Sequence, residues 1–236
     1  MKFNSHLTEA VLLKRTMRFM AQVVLGNRQK IMLRCPNIGN MQGADILGSK
    51  IWYSNAIGYH CLPTWEIVEV DEGHLVCVNP ELMKPLIVEA IKANIISELE
   101  NYTILHTGGH FDQFRSQFLL LEKNQQQCYV GLEHVIIGNN QGEGLFPGGM
   151  GDGRDNLEAL LQAKESGNRA ILIFCVTHQG VEQIKIASHI DNEYQRLIRA
   201  AMDAGVEIVA YKANMSTHNI ELNQKIEVIL PETILR

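Results

Sequence analysis

Histidine and acidic side chains near the middle of the chain are the first candidates for chemistry. His106, His110 and Asp112 belong to one segment, and Glu133 and His134 follow two predicted strands later. Mixed nitrogen and oxygen ligands of this kind can hold a divalent cation. Their spacing is loose, however, and matches no established metal motif. We therefore expect these side chains to be scattered polar residues near strand ends. The alternative is that they form a metal cluster.

Two other patterns suggest chemistry on first inspection. Cys175 and His178 are spaced like a thiol and imidazole pair, but Cys175 lies in an apolar strand pattern, which favours a place in the core. The glycine-rich stretch 138–153 precedes a predicted helix, as phosphate-binding loops do. It lacks the Gly-Lys-Ser/Thr motif, and Asp152 and Asp155 would repel an anion. We expect neither a thiol catalyst nor a phosphate loop.

Charge is distributed unevenly along the chain. The 236 residues carry a net charge of −5. Residues 1–34 contain seven Lys and Arg against Glu9 alone, a net charge of +6, so the remaining 202 residues carry −11. The N-terminal part can contact nucleic-acid phosphates, whereas the rest would repel them. The alternative is that these basic residues alternate along strands and form a solvated face.

Length and composition favour a globular protein. A chain of 236 residues with 46% hydrophobic content can form one large domain or two small ones. No apolar run approaches the ~18–20 residues of a membrane helix, and the start of the chain lacks the order of a signal peptide. Five widely spaced cysteines favour neither a disulfide framework nor a zinc site. We expect a cytoplasmic protein with no membrane contact and no cofactor, and the sequence leaves its oligomeric state open.

The first third of the chain has the pattern of a small β-barrel. β-Branched and alternating segments are separated by turn residues such as Gly26-Asn27 and Asp71-Glu72-Gly73. Five short strands in one span are enough to close such a barrel. The predicted strands are residues 17–25, 30–35, 50–54, 64–70 and 74–79.

A helix links the predicted barrel to the rest of the chain. Pro85 suits the first turn of this helix, because a proline there loses no hydrogen bond. Apolar residues then recur on one face through Asn94. We therefore predict two domains, residues 1–80 and residues 81–236.

An α/β pattern occupies the second predicted domain. Strands alternate with helices from residue 102 onward, which favours a mixed or parallel sheet. Asp155, followed three residues later by Glu158, forms a capping-box pattern, and Asp191 is suited to cap a second helix. The predicted strands lie near residues 102–107, 116–122, 128–137, 170–177 and 206–212.

Short motifs along the chain carry a family resemblance. Arg18-Phe19-Met20-Ala21 and Thr64-Trp65-Glu66 stand among the predicted barrel strands, and Cys35-Pro36-Asn37 is the most specific motif of the set. Together with later motifs, they resemble the sugar fermentation stimulation protein family of bacteria and archaea over essentially the whole chain. The later motifs are Phe146-Pro147, Gly167-Asn168-Arg169-Ala170 and Gly205-Val206-Glu207.

The resemblance implies an α/β (α+β) fold with DNA as a non-specific partner. The expected domains are an N-terminal OB-like β-barrel and a PD-(D/E)xK restriction-endonuclease-like α/β domain. The strand face of an OB barrel can bind a single strand, because basic side chains contact phosphates and an aromatic ring stacks on a base. Phe19 is equally suited to a barrel core, and Cys35 to Met41 to a turn kept for its shape. Our candidates for nucleic-acid binding are Arg15, Arg18, Phe19, Lys30, Arg34 and Asn37.

The second domain departs from the family at the positions that the resemblance makes catalytic. There the family has an Asp on one strand and Glu-x-Lys on the next, a pattern that holds Mg²⁺. This chain has Gln117, Gly131 and Glu133 instead. A later basic motif is also lost, and only Arg154 can supply a contact there. Because an amide and a hydrogen do not replace two carboxylates, we predict that catalytic residues and the metal site are lost.

The sequence therefore predicts a DNA-binding protein, with a regulatory role, whose affinity comes from the basic N-terminal strands. One alternative is a metal-dependent nuclease rearranged around His110, Asp112 and Glu133. Another is a scaffold without enzymatic activity that binds other proteins. Binding that weakens steeply with salt would favour the first function, and cleavage of DNA with Mg²⁺ or Mn²⁺ would favour the nuclease.

Overall fold

The fold consists of a small barrel and a larger sheet flanked by helices. Every helix in the described ranges is too short or too polar to cross a bilayer. The computed structural model of the chain describes residues 1–3, 5–56, 61–107, 118–149 and 153–230.

Six strands form the N-terminal sheet, and five of them close into a barrel. Their spatial order is β3-β2-β1-β4-β5-β6, and a parallel pairing of Arg34 in β3 with Thr64 in β5 closes the ring. The predicted small barrel is therefore confirmed. The strands are β1 (Thr8–Thr16), β2 (Met20–Val24), β3 (Lys30–Arg34), β4 (Lys50–Ser54), β5 (Thr64–Glu69) and β6 (Leu75–Cys77).

The start of the barrel differs from the sequence prediction. Strand β1 was not predicted, and the first predicted strand begins at Met20 rather than at Met17. Met17 and Arg18 have φ values of 53° and 67°, so they form the turn between β1 and β2 instead of continuing a strand. Non-glycine residues seldom adopt positive φ, and an alternating pattern gives no sign of it.

Eight strands form the second sheet, in the order β10-β12-β14-β13-β11-β9-β8-β7. Strand β11 pairs in parallel with β9 and β13, whereas β8 with β9 and β13 with β14 are antiparallel. The predicted mixed sheet is therefore confirmed. The strands are β7 (Thr103–His106), β8 (Phe118–Lys123), β9 (Gln126–Val135), β10 (Glu143–Phe146), β11 (Arg169–Val176), β12 (Gln183–Ile186), β13 (Glu207–Met215) and β14 (Ile220–Ile229).

Three α-helices cover the faces of the second sheet. They are α1 (Met83–Lys92), α2 (Arg154–Glu165) and α3 (Asn192–Asp203). Asp191 caps α3 as predicted, because its side chain accepts hydrogen bonds from the N–H groups of Glu193 and Tyr194, both at 3.0 Å. The predicted capping box at Asp155 is wrong. Helix α2 begins one residue earlier, at Arg154. Its N-cap is Gly153, which has a φ of 76° and no side chain to accept a capping hydrogen bond.

The barrel and the second sheet share apolar packing and hydrogen bonds. Ile136 and Ile137, which follow β9, belong to the barrel core. Two hydrogen bonds join Leu75 and Gln179. The N–H of Gln179 donates to the main-chain oxygen of Leu75, and the N–H of Leu75 donates to the side-chain oxygen of Gln179. Lys2 also pairs with Asn219, so the first residues lie against the second sheet although the predicted boundary assigns them to the barrel domain. The division at residue 80 remains a prediction.

Candidate nucleic-acid interface and adjoining pocket

The turn between β1 and β2 presents an aromatic ring and a cation to solvent. Met17, Arg18 and Phe19, which we call the hairpin tip, are all exposed, and the side chain of Phe19 is 49% exposed. Lys30 is also exposed, at the start of β3. Two of the predicted binding residues, Arg18 and Phe19, are thus available to a ligand at the tip, whereas Lys30 lies opposite Val24, at the other end of β2.

Arg15 has a different position from the one expected for a phosphate contact. Its side chain is only 12% exposed and its Nη1 lies 3.1 Å from an oxygen of Asp45. Nε donates to the main-chain oxygen of Arg18 at 3.1 Å, and Nη2 donates to those of Asn37 and Gly39 at 2.8 and 2.9 Å. The guanidinium therefore ties the hairpin tip to the loop that follows β3.

Arg34 is likewise engaged within the protein. Its two terminal nitrogens donate to the two carboxylate oxygens of Glu81 at 2.6 and 2.8 Å. This bidentate pair raises the pKa of Arg34 and lowers the pKa of Glu81. Arg34 remains partly exposed, but its charge is largely matched by a neighbouring carboxylate.

A buried carboxylate lies beside this pair. The hydroxyl of Ser54 donates to Glu66 Oε1 at 2.6 Å, and Asn79 Nδ2 donates to Oε2 at 2.7 Å. Burial nevertheless raises the pKa of Glu66, because removal from water costs the charged form more than the two donors and nearby Arg34 restore. Glu66 therefore supports the barrel structure and is buried away from any nucleic acid on its surface.

Asn37 lies in the turn that Arg15 holds. Its Oδ1 accepts from the N–H of Gly39 at 2.9 Å, which gives an Asx turn. The side-chain Nδ2 has no protein partner within the described ranges. Three residues later, Asn40 Nδ2 donates to the main-chain oxygen of Gly148 at 2.7 Å and so connects this loop to the second sheet. The loop is fixed at both ends.

This loop forms one wall of a pocket at the junction of the barrel and the second sheet. The junction pocket has a volume of about 300 Å³. Most of its lining is apolar, and within the described part of the chain no Lys or Arg lines it. The polar side chains that line it are Asn37, Asn40, Glu133 and His134; the apolar ones include Ile38, Met83, Leu132 and Phe146.

Glu133 is the carboxylate of the junction pocket and is only 8% exposed. Asn156, near the start of α2, donates from Nδ2 to Glu133 Oε1 at 2.5 Å and to the main-chain oxygen of Leu132 at 3.1 Å. The N-terminal end of α2 also favours a negative charge at this place. The side chain of Asn156 and the start of α2 therefore stabilise a carboxylate at this position.

Gly153 allows Glu133 and the ring of Tyr194 to approach the start of α2. A Cβ atom on Gly153 would lie 2.9 Å from Glu133 Oε1 and 2.9 Å from Tyr194 Cε2, so only glycine fits. The hydroxyl of Tyr194 is buried and has no hydrogen-bond partner among the described residues. Burial first, and then the charge of Glu133, raise the pKa of this phenol. The sequence pattern predicts Tyr194 only as part of the apolar face of α3.

His134 has a defined hydrogen-bonding state. The Thr177 hydroxyl donates its one proton to the main-chain oxygen of Cys77 at 2.8 Å, so it must accept from His134 Nε2, which lies 2.7 Å away. Burial lowers the pKa of His134 to about 4, and the ring is neutral near pH 7. The proton on Nε2 leaves Nδ1 as the acceptor.

The nuclease positions are only partly within the described residues. Gln117, His110 and Asp112 lie outside them. Gly131 is described: it pairs with Phe118 and with Leu172, and a Cβ atom there would lie 3.0 Å from Leu160 Cδ1. The space beside Gly131 is therefore filled by the side chain of a leucine from α2.

The separation of His106 from Glu133 also bears on metal binding. His106 pairs with Leu120, which pairs with Tyr129, so Glu133 lies two strands across and ~13 Å further along the sheet. Within the described ranges, no group of three or more His, Cys, Asp and Glu side chains is placed to hold a metal ion.

Two further candidates have structural roles. Arg154 donates from Nε and Nη2 to the two oxygens of Asp191 at 3.0 and 2.5 Å, and Asp191 is 1% exposed. This cation therefore supports the cap of α3. Cys175 is buried in the core of the second sheet as predicted, and burial raises its pKa, so its thiol is unreactive.

Comparisons with known proteins agree with the resemblance. The family model of the sugar fermentation stimulation protein RE domain matches residues 81–219. A sugar fermentation stimulation protein homolog from Pseudoalteromonas atlantica is 34% identical, covering 98% of this chain and 100% of its own. Another, from Hahella chejuensis, is 36% identical and covers 97% of each chain. The solved structure of Pyrococcus furiosus SfsA in complex with Ca²⁺ has a TM-score of 0.86 at 20% identity, covering 97% of this chain and 98% of the other.

Proposed function

This chain belongs to the sugar fermentation stimulation protein family, and we propose that it binds single-stranded DNA through the hairpin tip, without strict sequence specificity. The observation that carries the proposal is the exposed ring of Phe19 beside exposed Arg18 on a closed barrel. The exposed ring of Phe19 is available to stack on a base, and such stacking contributes ~1–3 kcal/mol. In this proposal Arg18 supplies a phosphate contact beside the ring, and Lys30, opposite Val24 at the other end of β2, supplies a second one further along the strand.

In this proposal, fewer basic residues contact DNA than the sequence predicts. Arg15 and Arg34 were predicted as contacts, but their guanidiniums pair with Asp45 and Glu81. A phosphate would have to displace these carboxylates, whereas the cations of Arg18 and Lys30 require no such exchange. We therefore assign Arg15 and Arg34 to structural support of the binding surface.

The second domain, in this proposal, is a nuclease-like scaffold that has lost its metal chemistry. Gly131 supplies no ligand, and Leu160 occupies the space into which an acidic side chain would extend. Glu133 is committed to Asn156 and the start of α2. We place the activity in the cytoplasm, where the five free cysteines would stay reduced, including exposed Cys61.

The test is binding of a dT oligonucleotide of roughly 20 nucleotides, followed by fluorescence anisotropy. Affinity should fall steeply between ~50 and ~200 mM salt. Arg18→Ala should weaken binding and reduce the salt slope by ~0.7, and Phe19→Ala should weaken it ~5- to 100-fold at every salt concentration. Arg196→Ala, which removes a 72% exposed cation on α3, is the matched control and should bind normally. Undetectable binding, or binding independent of salt, would contradict the proposal.

A metal-dependent nuclease is the second candidate. The observation in its favour is that the structural relative from Pyrococcus furiosus was solved in complex with Ca²⁺, and this chain has a buried carboxylate, Glu133, at the junction pocket. Incubation of labelled DNA with Mg²⁺ or Mn²⁺ separates the two functions. Cleavage that disappears in Glu133→Ala would establish the nuclease, and intact DNA in all samples would favour binding alone. A protein-binding scaffold remains if neither activity is found.

A further inference from the structure

We propose that the loop after β3 extends the binding surface beyond the hairpin tip, where its apolar side chains contact unstacked bases and favour single strands over duplex DNA. This inference rests on the proposed function, because the hairpin tip must hold the strand beside the loop. The side chains concerned are Ile38, Ile46 and Leu47, which we call the loop patch.

Exposed apolar side chains are concentrated at this place. Nine large apolar side chains are exposed among the described residues, and five of them belong to the hairpin tip or the loop patch. Ile38 and Leu47 are both 66% exposed, and Ile46 is 51% exposed. A single exposed apolar residue is ordinary on a protein surface, whereas a group of them marks a place that another molecule covers.

Arg15 brings the hairpin tip and the loop patch together. Its Nε donates to the main-chain oxygen of Arg18 in the tip at 3.1 Å. Its Nη2 donates to the main-chain oxygens of the two residues that flank Ile38, at 2.8 and 2.9 Å. Its Nη1 donates to the carboxylate of Asp45, the residue before Ile46, at 3.1 Å. One guanidinium group therefore joins the backbone of the tip to both parts of the patch.

The loop itself is anchored to the barrel. Met41 and Ala44, in the same loop, are each 1% exposed and pack in the barrel core. The N–H of Gly48 donates to the main-chain oxygen of Leu12 in β1 at 2.8 Å. The loop thus buries two of its apolar side chains and presents three others to solvent on a fixed backbone. A strand that binds there has little of the protein left to order, which lowers the cost of binding.

Charge favours nucleic acid as the molecule that covers the patch. Residues 17–19 and 35–49 all lie within the described ranges, and Asp45 is their sole acid. Arg15 pairs with Asp45, which leaves Arg18 as the exposed cation of this surface. An apolar surface beside an exposed cation suits a chain that offers flat base faces along a phosphate backbone.

A duplex cannot use the loop patch in the same way. Its base faces are covered by stacking, so a protein that does not extrude a base meets phosphates and base edges alone. A single strand exposes its base faces, and aromatic or apolar side chains can cover them. The loop patch should therefore add to the affinity for single strands and leave the affinity for duplex DNA unchanged.

Ile38→Ser and Leu47→Ser test the patch, because each replaces an exposed apolar side chain by a small polar one. Binding of the full chain to a dT strand of roughly 20 nucleotides, and to a duplex of the same length, is measured by fluorescence anisotropy at several salt concentrations. Each variant should bind the single strand about 3- to 10-fold more weakly than wild type. The salt slope should stay the same, because an apolar contact releases no counterion. Duplex binding should equal that of wild type.

Ile95→Ser is the matched control. It is the same substitution at a 40% exposed isoleucine, just beyond the end of α1 on the second domain. This variant should bind both kinds of DNA as wild type does. Thermal unfolding of all three variants confirms that a weakened affinity is not a lost fold.

The outcomes separate this inference from the proposed function. Wild-type affinity of Ile38→Ser and Leu47→Ser, together with weakened binding by Phe19→Ala, would overturn the loop patch and leave the proposed function intact. Equal losses on single strand and duplex would overturn the contact with base faces. Failure of wild type to bind any strand would overturn the proposed function, and the loop patch with it.

Sedimentation velocity tests the other occupant of an apolar patch, a second copy of the chain. A wild-type dimer that Ile38→Ser or Leu47→Ser converts to a monomer would assign the patch to self-association and overturn the contact with bases. We expect the same oligomeric state for wild type and all three serine variants.

Discussion

Arg15 and Asn37, which are 22 residues apart, are joined by a hydrogen bond of 2.8 Å from the guanidinium to a main-chain oxygen. The same side chain also bonds to Gly39, Arg18 and Asp45. The turn between β1 and β2 and the loop after β3, which one backbone hydrogen bond from Cys35 N–H to the oxygen of Phe19 also joins at 2.8 Å, are therefore held as one surface. The sequence suggests Arg15 as a phosphate contact. In the structure its side chain holds the two loops in place and so determines the shape of the site.

Loss of the Arg15 guanidinium should loosen this surface. Arg15→Ala removes several charge-assisted hydrogen bonds from a side chain that is largely buried, and we expect a decrease of about 2–3 kcal/mol in the free energy of unfolding. Arg18→Ala, at the exposed tip, should change it by less than ~0.5 kcal/mol. Urea unfolding of both variants measures the difference. Equal stabilities would show that Arg15 does not hold the loops together.

The start of α2 should not tolerate a side chain. Gly153→Ala places a methyl group 2.9 Å from both Glu133 and Tyr194 at a φ of 76°, so strain and crowding add. We expect a loss of ~2–4 kcal/mol in unfolding free energy. Gly167→Ala is the matched control, because its φ is 81° but nothing lies within 4 Å of the added methyl. The unfolding free energy of Gly167→Ala should fall by only ~1 kcal/mol. Equal decreases in the two variants would rule out crowding at Gly153.

Gly131 and Leu160 should behave as a coupled pair. A Cβ atom at Gly131 would lie 3.0 Å from Leu160 Cδ1, so Gly131→Ala should be destabilising, and less so when Leu160 is also shortened to Ala. The double-mutant cycle should give a coupling of ~0.5–2 kcal/mol in the stabilising direction. Additive effects would mean that Leu160 does not fill the space beside Gly131.

Glu66 should make the chain less stable as the pH rises. Burial raises its pKa in the folded state above that of the unfolded chain, so the folded state binds the proton more tightly. The stability linked to this proton is present below the unfolded pKa of ~4.3 and is lost as the pH rises through the folded pKa. Glu66→Gln removes the titration while Ser54 and Asn79 can still bond to the amide.

The measurement for Glu66 is the difference between wild type and variant in urea unfolding at several pH values. Other carboxylates contribute equally to both proteins, so the difference isolates Glu66. Relative to wild type, the free energy of unfolding of the variant should rise from about pH 4.3 and level off once the pH has passed the folded pKa of Glu66. A difference that does not change with pH would contradict the assignment of a raised pKa.

The barrel and the α/β core could be predicted because their signals are local. Asp191 precedes an apolar helical pattern, and its cap geometry needs only the next three residues. Strand β14 was missed because its buried residues are separated by a polar run, although it lies between β12 and β13. Its place depends on pairing partners rather than on its own sequence.

The candidate site was harder to predict than the fold. The exposure of Phe19 depends on positive φ at Met17 and Arg18, which no glycine indicates. The role of Arg15 depends on main-chain oxygens more than 20 residues away, and the acceptor state of His134 depends on Thr177 in a neighbouring strand. Residue types alone suggested a binding surface. Only the tertiary contacts show which of its side chains face a ligand and which hold the surface in place.

Photocrosslinking tests the central claim most directly, because it locates the strand on the protein. A dT oligonucleotide with 5-iododeoxyuridine substitutions is irradiated in complex with the full chain, and the crosslinked peptides are identified by mass spectrometry. We predict crosslinks at Phe19 in the hairpin tip, reduced in Phe19→Ala and unchanged in Arg196→Ala. Crosslinks confined to the second sheet and its helices, with none at the tip, would contradict the claim.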